Sequence, residues 1–379
     1  MRVCMVIPYD LAEEGDVKRH AMQLAATLRA LGDEVDVLGP CTDDGALGEH
    51  MVGLRGVVNI RANGSDNRLG IFVSPRRVRR LFRERCYDVV HVHEPLQPTL
   101  NYYAIWSAGA AARIGTFHAF MEGEGAVMQS ARRLMGAIMF RGYDRGIAVS
   151  PAAAQSARLA FHKPLEIIPN GIRSELYAGM PAPTAAGPLR MLFVGHWRDP
   201  RKGLPYLLEA CVQLSSRAVA WTLDIIGDGG RIARSSLPGV TYHGPIRSER
   251  ELAAHYEACE VFVSPATGAE SFGIVLLEAM ASARPIVCSD LEGYRYAVGW
   301  GQSSGARLVP PGSASALADA LGALAADPGA RARLGALNRA RVAQFAWDRL
   351  VGRVREQYVI ACAVRARAAG PAPPSIAVR

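Results

Sequence analysis

The sequence predicts an α/β protein made of two doubly wound domains that face each other across a cleft. Short β-rich runs alternate with longer helical patterns up to about residue 177, as in parallel sheets built from βαβ units. The same alternation restarts at residue 190, after the Pro-, Ala- and Gly-rich segment "AGMPAPTAAGP" (178–188), which is the best linker candidate. A chain of 379 residues is also long enough for two separate cores.

The first domain is expected over residues 1–178. It starts with a strand in "RVCMVIP" and an amphipathic helix from about Asp16 to Leu31. We expect His91 and His93 to point to opposite faces of their strand, and therefore to be structural residues that do not share a metal ion. The further strands of this domain are predicted in "GDEVDVLGP", "DVVHVHEP" (88–95), "RIGTFH" (113–118), "GIAVSP" (146–151) and "LEIIPNG" (165–171).

The second domain is expected over residues 188–345. Ligands of such folds bind beyond the carboxyl ends of the parallel strands. Residues 366–379 end in a Pro/Ala-rich stretch that predicts a disordered tail. The strands of the second domain are predicted in "RMLFVG" (190–195), "WTLDIIGDGG" (221–230), "GVTYHG", "EVFVSP" (260–265) and "RPIVCSD" (284–290).

Composition narrows the class of protein. No run of about 18 apolar residues predicts a transmembrane helix, and the N-terminus lacks the features of a signal peptide. The seven cysteines show no CxxC pair, which suits a reducing cytosol and predicts no metal site. The formal charge of +8 favours anionic partners such as phosphates, nucleic acid or an acidic membrane, without choosing among them.

The stretch "ESFGIVLLEAM" places two carboxylates, Glu270 and Glu278, around an apolar segment. Glu270 is expected in the loop after the strand "EVFVSP", with a helix starting near Phe272 or Gly273 and Ser271 as a possible N-cap. Glu278 then lies inside the helix, where a buried carboxylate costs several kcal/mol, about 2–7, unless donors satisfy it. Sugar hydroxyls are suitable donors, and the free N–H groups of the helix start suit a sugar or phosphate oxygen.

Two other interpretations of this pair stay open from spacing alone. Glu270 could cap the helix while Glu278 pairs with a buried arginine. A hydrolase with two catalytic carboxylates fits less well, because both acids come from one loop and helix and do not flank a cleft.

The same stretch resembles the E-x7-E motif of retaining glycosyltransferases of family 4, which have the GT-B fold of two Rossmann-like domains. Within that family the chain is most similar to phosphatidyl-myo-inositol mannosyltransferases, through "VIPYD", "GDVKRHAMQLA", "ANGSDNRL", "HVHEP" and "TFH". "EIIPNGI" (166–172) resembles the interdomain connector, and "FAWDRL" (345–350) the start of C-terminal helices. The resemblance implies that a helix at about 350–365 packs back on the first domain.

The resemblance implies a reaction and a donor site. Those enzymes transfer mannose from GDP-mannose to an inositol phospholipid on the inner membrane face, without a cofactor or catalytic metal. "GHWRDPRKG" (195–203) resembles the diphosphate-binding loop, in which Lys202 would stabilise the leaving group, while Glu270 would hold the donor sugar, Glu278 the ribose and His118 the reacting sugar. The remaining donor-binding candidates are Gly15, Asp16, His196, Arg198, Arg201, Phe272, Gly273 and Ile274.

The segment "SPRRVRRLFRERC" (74–86) carries six arginines, and Val78, Leu81 and Phe82 form one apolar stripe. A basic amphipathic helix of this kind is typical of an anionic membrane surface. The resemblance implies that this region contacts the membrane and that the protein is peripheral on the inner face of the plasma membrane. A solvated basic face on an ordinary core helix is the alternative, and no motif supports nucleic acid. The membrane-binding candidates are Arg76, Arg77, Arg79 and Arg80. The resemblance implies that the inositol phosphate headgroup of the acceptor would be held by Tyr9, Asn63, Ser65 and Arg68.

Two positions depart from the family pattern. Members usually have Gly-Gly where this chain has Gly15-Asp16, and arginine where it has His196; Arg198 could substitute for the missing arginine. Both changes weaken the positive field at the leaving group. Two alternatives therefore stay open: a transferase that uses a UDP-sugar and a soluble or saccharide acceptor, and a catalytically silent protein that binds nucleotide sugars.

Overall fold

A computed structural model of the chain describes residues 1–13, 15–62, 65–97, 99–120, 126–177, 187–230, 232, 234–299 and 301–369. The N-terminal domain is a seven-stranded parallel sheet flanked by helices, with strand order β3-β2-β1-β6-β7-β8-β9. Its strands are β1 (Arg2–Val6), β2 (Glu34–Pro40), β3 (Met51–Leu54), β6 (Val89–His93), β7 (Ala112–Phe117), β8 (Arg145–Ala148) and β9 (Leu165–Ile167). Its helices are α1 (Asp16–Ala30), α2 (Pro75–Arg85), α3 (Leu100–Ser107), α4 (Ala126–Met139) and α5 (Pro151–Arg158), and an antiparallel hairpin pairs β4 (Val57–Ala62) with β5 (Ser65–Gly70).

The C-terminal domain is a six-stranded parallel sheet with the order β12-β11-β10-β13-β14-β15. Its strands are β10 (Leu189–Val194), β11 (Trp221–Ile226), β12 (Val240–Gly244), β13 (Val261–Ser264), β14 (Ile286–Ser289) and β15 (Ala306–Val309). Its helices are α6 (Leu204–Ser216), α7 (Glu249–Ala258), α8 (Ile274–Ala281), α9 (Glu292–Val298), α10 (Ala314–Ala326) and α11 (Pro328–Val342), and the chain ends in α12 (Trp347–Ala369).

Helix α12 belongs to the second half of the sequence but packs on the first domain. Trp347, Leu350 and Tyr358 are buried in one cluster with Val3 and Ile7 of the N-terminal sheet. Burying these large apolar side chains contributes roughly 1.5–3 kcal/mol each, which holds the helix against the sheet. The predicted fold class is therefore confirmed, including the helix that returns to the first domain.

The strands that the sequence did not predict lie at the edges of the sheets or outside them. β3 and β15 are four-residue edge strands whose residues are mostly half-buried or exposed, so each gives only a short signal in the sequence. The predicted disorder from residue 366 is wrong as far as Ala369, because Ala and Arg are good helix formers and continue α12. Residues 370–379 and most of the linker 178–188 lie outside the described residues. In the described part of the chain, no helix is both long and apolar enough to cross a bilayer.

Candidate active site

A cavity opens between the two domains, at the carboxyl ends of their parallel strands. The first domain contributes Tyr9 after β1 and His118 after β7, and the second contributes the loop from Glu270 to Ile274 after β13. This is the position expected for a ligand in doubly wound folds. The full lining is Tyr9, Asp16, Val17, Glu94, His118, Ala119, Asn170, Glu270, Ser271, Phe272, Gly273 and Ile274.

Lys202 and Glu270 form an ion pair at the wall of this cavity. The Nζ of Lys202 donates to Oε1 of Glu270 at 2.6 Å. Burial by itself would lower the pKa of Lys202, but Glu270 and Asp16 outweigh it and raise that pKa, so the ammonium stays charged. Gly203 makes this placement possible: its φ is +74°, and a Cβ there would lie 1.9 Å from the carbonyl oxygen of Pro265. The lysine is thus held against the end of β13, beside the loop that carries Glu270.

Glu278 is buried in α8 and is satisfied from both domains. The guanidinium of Arg19, on α1 of the first domain, donates to Oε1 of Glu278. The hydroxyl of Tyr256, on α7, donates to Oε2 at 2.7 Å. Burial raises the pKa of Glu278, while Arg19 and Tyr256 act in the opposite direction. The interpretation in which Glu278 pairs with a buried arginine is therefore what the structure shows; its contact with a donor ribose stays a prediction.

The start of α8 faces the cavity one residue later than the sequence predicts. The helix begins at Ile274, and Gly273, with φ of +85°, is its N-cap residue. Ser271 as N-cap is wrong, and so is the alternative in which Glu270 caps the helix, because the N-cap residue is Gly273, which has no side chain. The first N–H groups of a helix have no intrahelical partners, so the backbone near Gly273 can donate to an anionic or sugar oxygen in the cavity.

The arginines of the loop after β10 are engaged with carboxylates. Arg201 makes a two-atom contact with Asp199, at 3.2 and 2.7 Å. Arg198 pairs with Asp228 at 3.0 Å. Lys202 contacts Glu270 of the cavity lining, and a role of Arg198 or Arg201 at a diphosphate requires rearrangement of these pairs.

Asp16 is the first residue of α1 and lines the cavity, with its side chain exposed. Its negative charge acts to raise the pKa of Lys202 and that of His196. Burial outweighs this effect at His196 and lowers its pKa below the usual range, and the positive charges of Lys202 and Arg198 add to the lowering. His196 is therefore neutral at pH 7, which disfavours a pairing of Asp16 with a protonated His196.

The histidines form one buried cluster, and the expectation that His91 and His93 point to opposite faces is wrong. Residues two apart on a strand share a face, and the two rings stack with centroids 4.5 Å apart. His93 Nδ1 lies 3.0 Å from His118 Nε2, and the ring of His20 packs edge-on against His118 at 4.7 Å. Ring nitrogens of His20, His93 and His118 lie within 4.8 Å of one another, a spacing that could also hold a metal ion.

Burial keeps these imidazoles neutral. It lowers the pKa of His20 and that of His91 to about 3. Burial likewise lowers the pKa values of His93 and His118 well below their usual range, and the neighbouring histidines add to this. A neutral His118 can orient a sugar hydroxyl through a hydrogen bond, but it does not supply positive charge.

Glu94 fixes the backbone that carries His118. One oxygen of its buried carboxylate accepts hydrogen bonds from the N–H groups of His118, at 2.6 Å, and Ala119, at 2.7 Å. Glu94 itself has a positive φ of 51°, which is uncommon for residues other than glycine and often marks functional loops. Glu94 was not predicted as a site residue; its position in "HVHEP", directly after a buried strand, was the available signal.

The described residues among the predicted acceptor-binding candidates lie on the first domain, in the loop after β1 and on β5. Tyr9 lines the cavity and makes an isolated bridge to Leu69 of the hairpin. Arg68, on β5, pairs with Asp10 at 3.4 Å and with Glu13. Asn63 lies outside the described residues, and Ser65 begins β5. The structure therefore brings Tyr9 to the cavity and places Arg68 beside the loop after β1.

The arginine helix α2 uses its apolar stripe inside the protein. Val78 and Phe82 are buried in the core of the first domain, and Leu81 packs against it. The apolar side of the helix therefore packs as the alternative of an ordinary core helix predicted. The basic side stays available, since the four candidates Arg76, Arg77, Arg79 and Arg80 are all exposed.

Comparison with known proteins agrees with this geometry. The family model described as Glycosyltransferase Family 4 matches residues 17–176, and that described as Glycosyl transferases group 1 matches residues 188–327. The phosphatidyl-myo-inositol mannosyltransferase of Mycobacterium leprae (strain TN) is 33% identical over 376 residues, which cover 94% of this chain and 96% of that protein. Its counterpart from Mycolicibacterium smegmatis is 32% identical, with 94% and 93% covered.

Solved structures share the fold at lower identity. Sucrose-phosphate synthase from Thermosynechococcus elongatus superimposes with a TM-score of 0.71 at 21% identity, covering 94% of this chain and 98% of that one. HepE of Anabaena, in complex with UDP and glucose, gives 0.74 at 18% identity, with 95% and 99% covered. The two facing parallel-sheet domains and the cleft between them define a GT-B glycosyltransferase. The chain belongs to glycosyltransferase family 4, and its activity is that of a hexosyltransferase.

Proposed function

We propose that this enzyme transfers mannose from GDP-mannose to the inositol headgroup of a membrane phospholipid, with retention of the anomeric configuration. The observation that carries the proposal is the pairing of Lys202 with Glu270 at the cavity wall, in a chain 33% identical to a phosphatidyl-myo-inositol mannosyltransferase over 94% of its length. The charged lysine supports the proposal because a leaving diphosphate requires positive charge, and the carboxylate beside it suits the sugar hydroxyls.

Each residue of the cavity then has a chemical task. Lys202 stabilises the charge that develops on the β-phosphate, assisted by the N–H groups at the start of α8. Glu270 accepts hydrogen bonds from the donor sugar, and Glu278 accepts them from the ribose. His118, positioned by Glu94, orients the reacting sugar where the two substrates meet. The reaction needs no cofactor or catalytic metal.

The acceptor side of the proposal rests on the exposed basic face of the first domain. The arginine helix presents its arginines to solvent, and Phe72 before it and Trp106 on the neighbouring α3 are 79% and 75% exposed. Arginines and exposed aromatic rings together suit the surface of an anionic bilayer. The enzyme would then work as a peripheral protein on the inner face of the plasma membrane, with Tyr9 and Arg68 near the lipid headgroup.

A panel of GDP- and UDP-sugars tests the donor, because a ligand that binds only the folded state raises its melting temperature. We expect GDP-mannose to give the largest shift and to yield a mannosylated lipid with phosphatidylinositol vesicles, detected by mass spectrometry. A larger shift with a UDP-sugar, and transfer to a soluble saccharide, would identify the second candidate. Asp16 beside Lys202 favours a third, a protein that binds nucleotide sugars silently; donor binding without transfer or hydrolysis would identify it.

A further inference from the structure

A second group of metal-binding side chains lies on the C-terminal domain, away from the lining of the cavity. Asp224 is on β11, His243 on the edge strand β12 and His255 on α7. Their potential ligand atoms all lie within 4.8 Å of one another. His243 Nε2 lies 2.7 Å from Oδ1 of Asp224, and the rings of His243 and His255 pack edge-on with centroids 4.5 Å apart.

The backbone aims His243 into this group. The pairing of β11 with β12 runs in register from Leu223 to Ile225 and then shifts: Ile225 pairs with Tyr242, whereas Ile226 pairs with Gly244. His243 is therefore the extra residue of a β-bulge. Bulges re-aim a side chain and are enriched near functional sites.

We propose that Asp224, His243 and His255 form a binding site for one divalent transition-metal ion of the Zn²⁺ type. Two imidazoles and one carboxylate suit Zn²⁺, Ni²⁺ or Cu²⁺, whereas Mg²⁺ and Ca²⁺ prefer oxygen ligands. Tetrahedral Zn²⁺ with bonds of about 2.0–2.1 Å requires its ligand atoms to lie about 3.3 Å apart. The three side chains are part-exposed, so rotation of the side chains can bring the atoms to that distance.

The metal would link the three elements β11, β12 and α7. It would fasten α7 to the edge of the sheet beside the loop 245–248. Helix α7 also carries Tyr256, next to His255, and the hydroxyl of Tyr256 donates to Glu278. On the same helix, Glu249 accepts a hydrogen bond from Gln23 of the first domain. Metal binding would therefore stiffen a helix that contacts both the buried Glu278 and the first domain. The proposal concerns metal binding and is independent of the donor or acceptor of the transferase.

The experiment titrates the full-length protein, freed of metal by a chelator, with Zn²⁺ by calorimetry and with Co²⁺ by visible absorption. We expect one saturable site, a Co²⁺ band in the visible region, and a higher melting temperature with Zn²⁺. His243→Gln and His255→Gln should each weaken Zn²⁺ at least tenfold, and Asp224→Asn should weaken it as well. His162→Gln changes an exposed histidine elsewhere and should leave the affinity unchanged.

Two controls keep the outcome decisive. Circular dichroism and the melting temperature without metal show whether each variant is folded. His93→Gln tests the buried trio of His20, His93 and His118, which also has metal spacing. The proposal is overturned if no saturable Zn²⁺ binding occurs. It is also overturned if folded His243→Gln and His255→Gln variants bind as tightly as the unaltered protein, or if His93→Gln removes the site.

Discussion

Arg19 and Glu278 join the two domains through an ion pair that is almost completely buried on the glutamate side. Arg19 lies on α1 of the first domain, and the Glu278 side chain is only 2% exposed within α8 of the second. The hydroxyl of Tyr256, on a third helix, donates a hydrogen bond to the second oxygen of the Glu278 carboxylate. The residue predicted to bind the donor ribose is therefore also a link between the domains. A donor that engages Glu278 competes with, or shares, this link.

Arg19→Met should reveal the cost of leaving Glu278 without its cation. Removing one partner of a buried ion pair costs about 3–5 kcal/mol. Burial already raises the pKa of Glu278, and loss of Arg19 raises it further. The folded state then binds a proton that the unfolded state releases, so stability should fall as the pH rises through this range. Chemical unfolding of Arg19→Met from pH 5 to pH 8 measures this dependence.

The double variant Arg19→Met with Glu278→Gln is the control for that experiment. It removes both charges and should recover part of the lost stability, with little dependence on pH. A single variant as stable at pH 8 as the unaltered protein would show that the ion pair carries no weight. Glu278→Gln by itself should weaken donor binding on the order of tenfold, because hydrogen bonds to a charged group contribute about 1.5–3 kcal/mol.

Lys202→Ala should reduce kcat on the order of 10²-fold, as loss of one preorganised contact to the leaving group commonly does. Arg201 and Arg198 are held by Asp199 and Asp228 and cannot replace the lysine without breaking those pairs. Steady-state kinetics with saturating donor measure the effect. Lys163→Ala, which alters an exposed lysine on the first domain, is the control and should keep full activity. Equal losses in both variants would remove Lys202 from the mechanism.

The sequence predicted the central strands of both sheets because apolar residues dominate these buried parallel strands. It did not predict β3 or β15, which are four-residue strands at the sheet edges. At the site, "ESFGIVLLEAM" located Glu270 and Glu278, and "GHWRDPRKG" located Lys202. Neither segment located the residues that contact Glu278. Arg19 lies 259 positions from Glu278 in the chain, and this contact depends on the tertiary fold. The histidine cluster was not predicted, because His91 and His93 were expected on opposite faces of β6, whereas residues two apart on a strand share a face.

Asp16→Asn should strengthen donor binding, up to about tenfold at low salt and less at high salt, because exposed charge repulsion is screened. The substitution keeps size and removes the charge that lies near Lys202. Asp16→Gly should have the same direction, with an additional loss of helix stability from the missing N-terminal anion, about 0.3–1 kcal/mol. Since His196 is neutral above pH 6.5, the gain should not depend on pH from 7 to 8.5. A loss of affinity that follows protonation of His196 would instead support pairing with Asp16.

Vesicle binding tests the arginine helix. Replacing its four exposed arginines with Gln should strongly reduce sedimentation with acidic vesicles, since each basic residue near such a surface contributes about 1 kcal/mol. Added salt should reduce binding of the unaltered protein in the same way. The matched control changes four exposed arginines of the second domain, namely Arg217, Arg250, Arg307 and Arg333. Equal losses in both quadruple variants would mean that net charge, and not this helix, drives the binding.

The buried histidines should make the protein acid-labile. An unfolded histidine titrates near pH 6.5, while burial lowers the pKa of His20 and of His91 to about 3. Below pH 6.5 the unfolded state therefore binds more protons than the folded state, and stability falls by about 1.4 kcal/mol per pH unit for each such group. Above pH 6.5 these histidines are neutral in both the folded and the unfolded state, so they no longer change the free energy of unfolding with pH. Unfolding by urea at half-unit steps from pH 7.5 to pH 4.5 measures the slope.

His20→Gln should lower stability at pH 7.5, because the pocket is shaped for an imidazole, but it should reduce the acid slope by the share of one proton. His162→Gln, at an exposed position, should change neither quantity. If His20→Gln leaves the slope at its original value, His20 is not a buried neutral group, and the electrostatic account of the cluster around His118 is wrong.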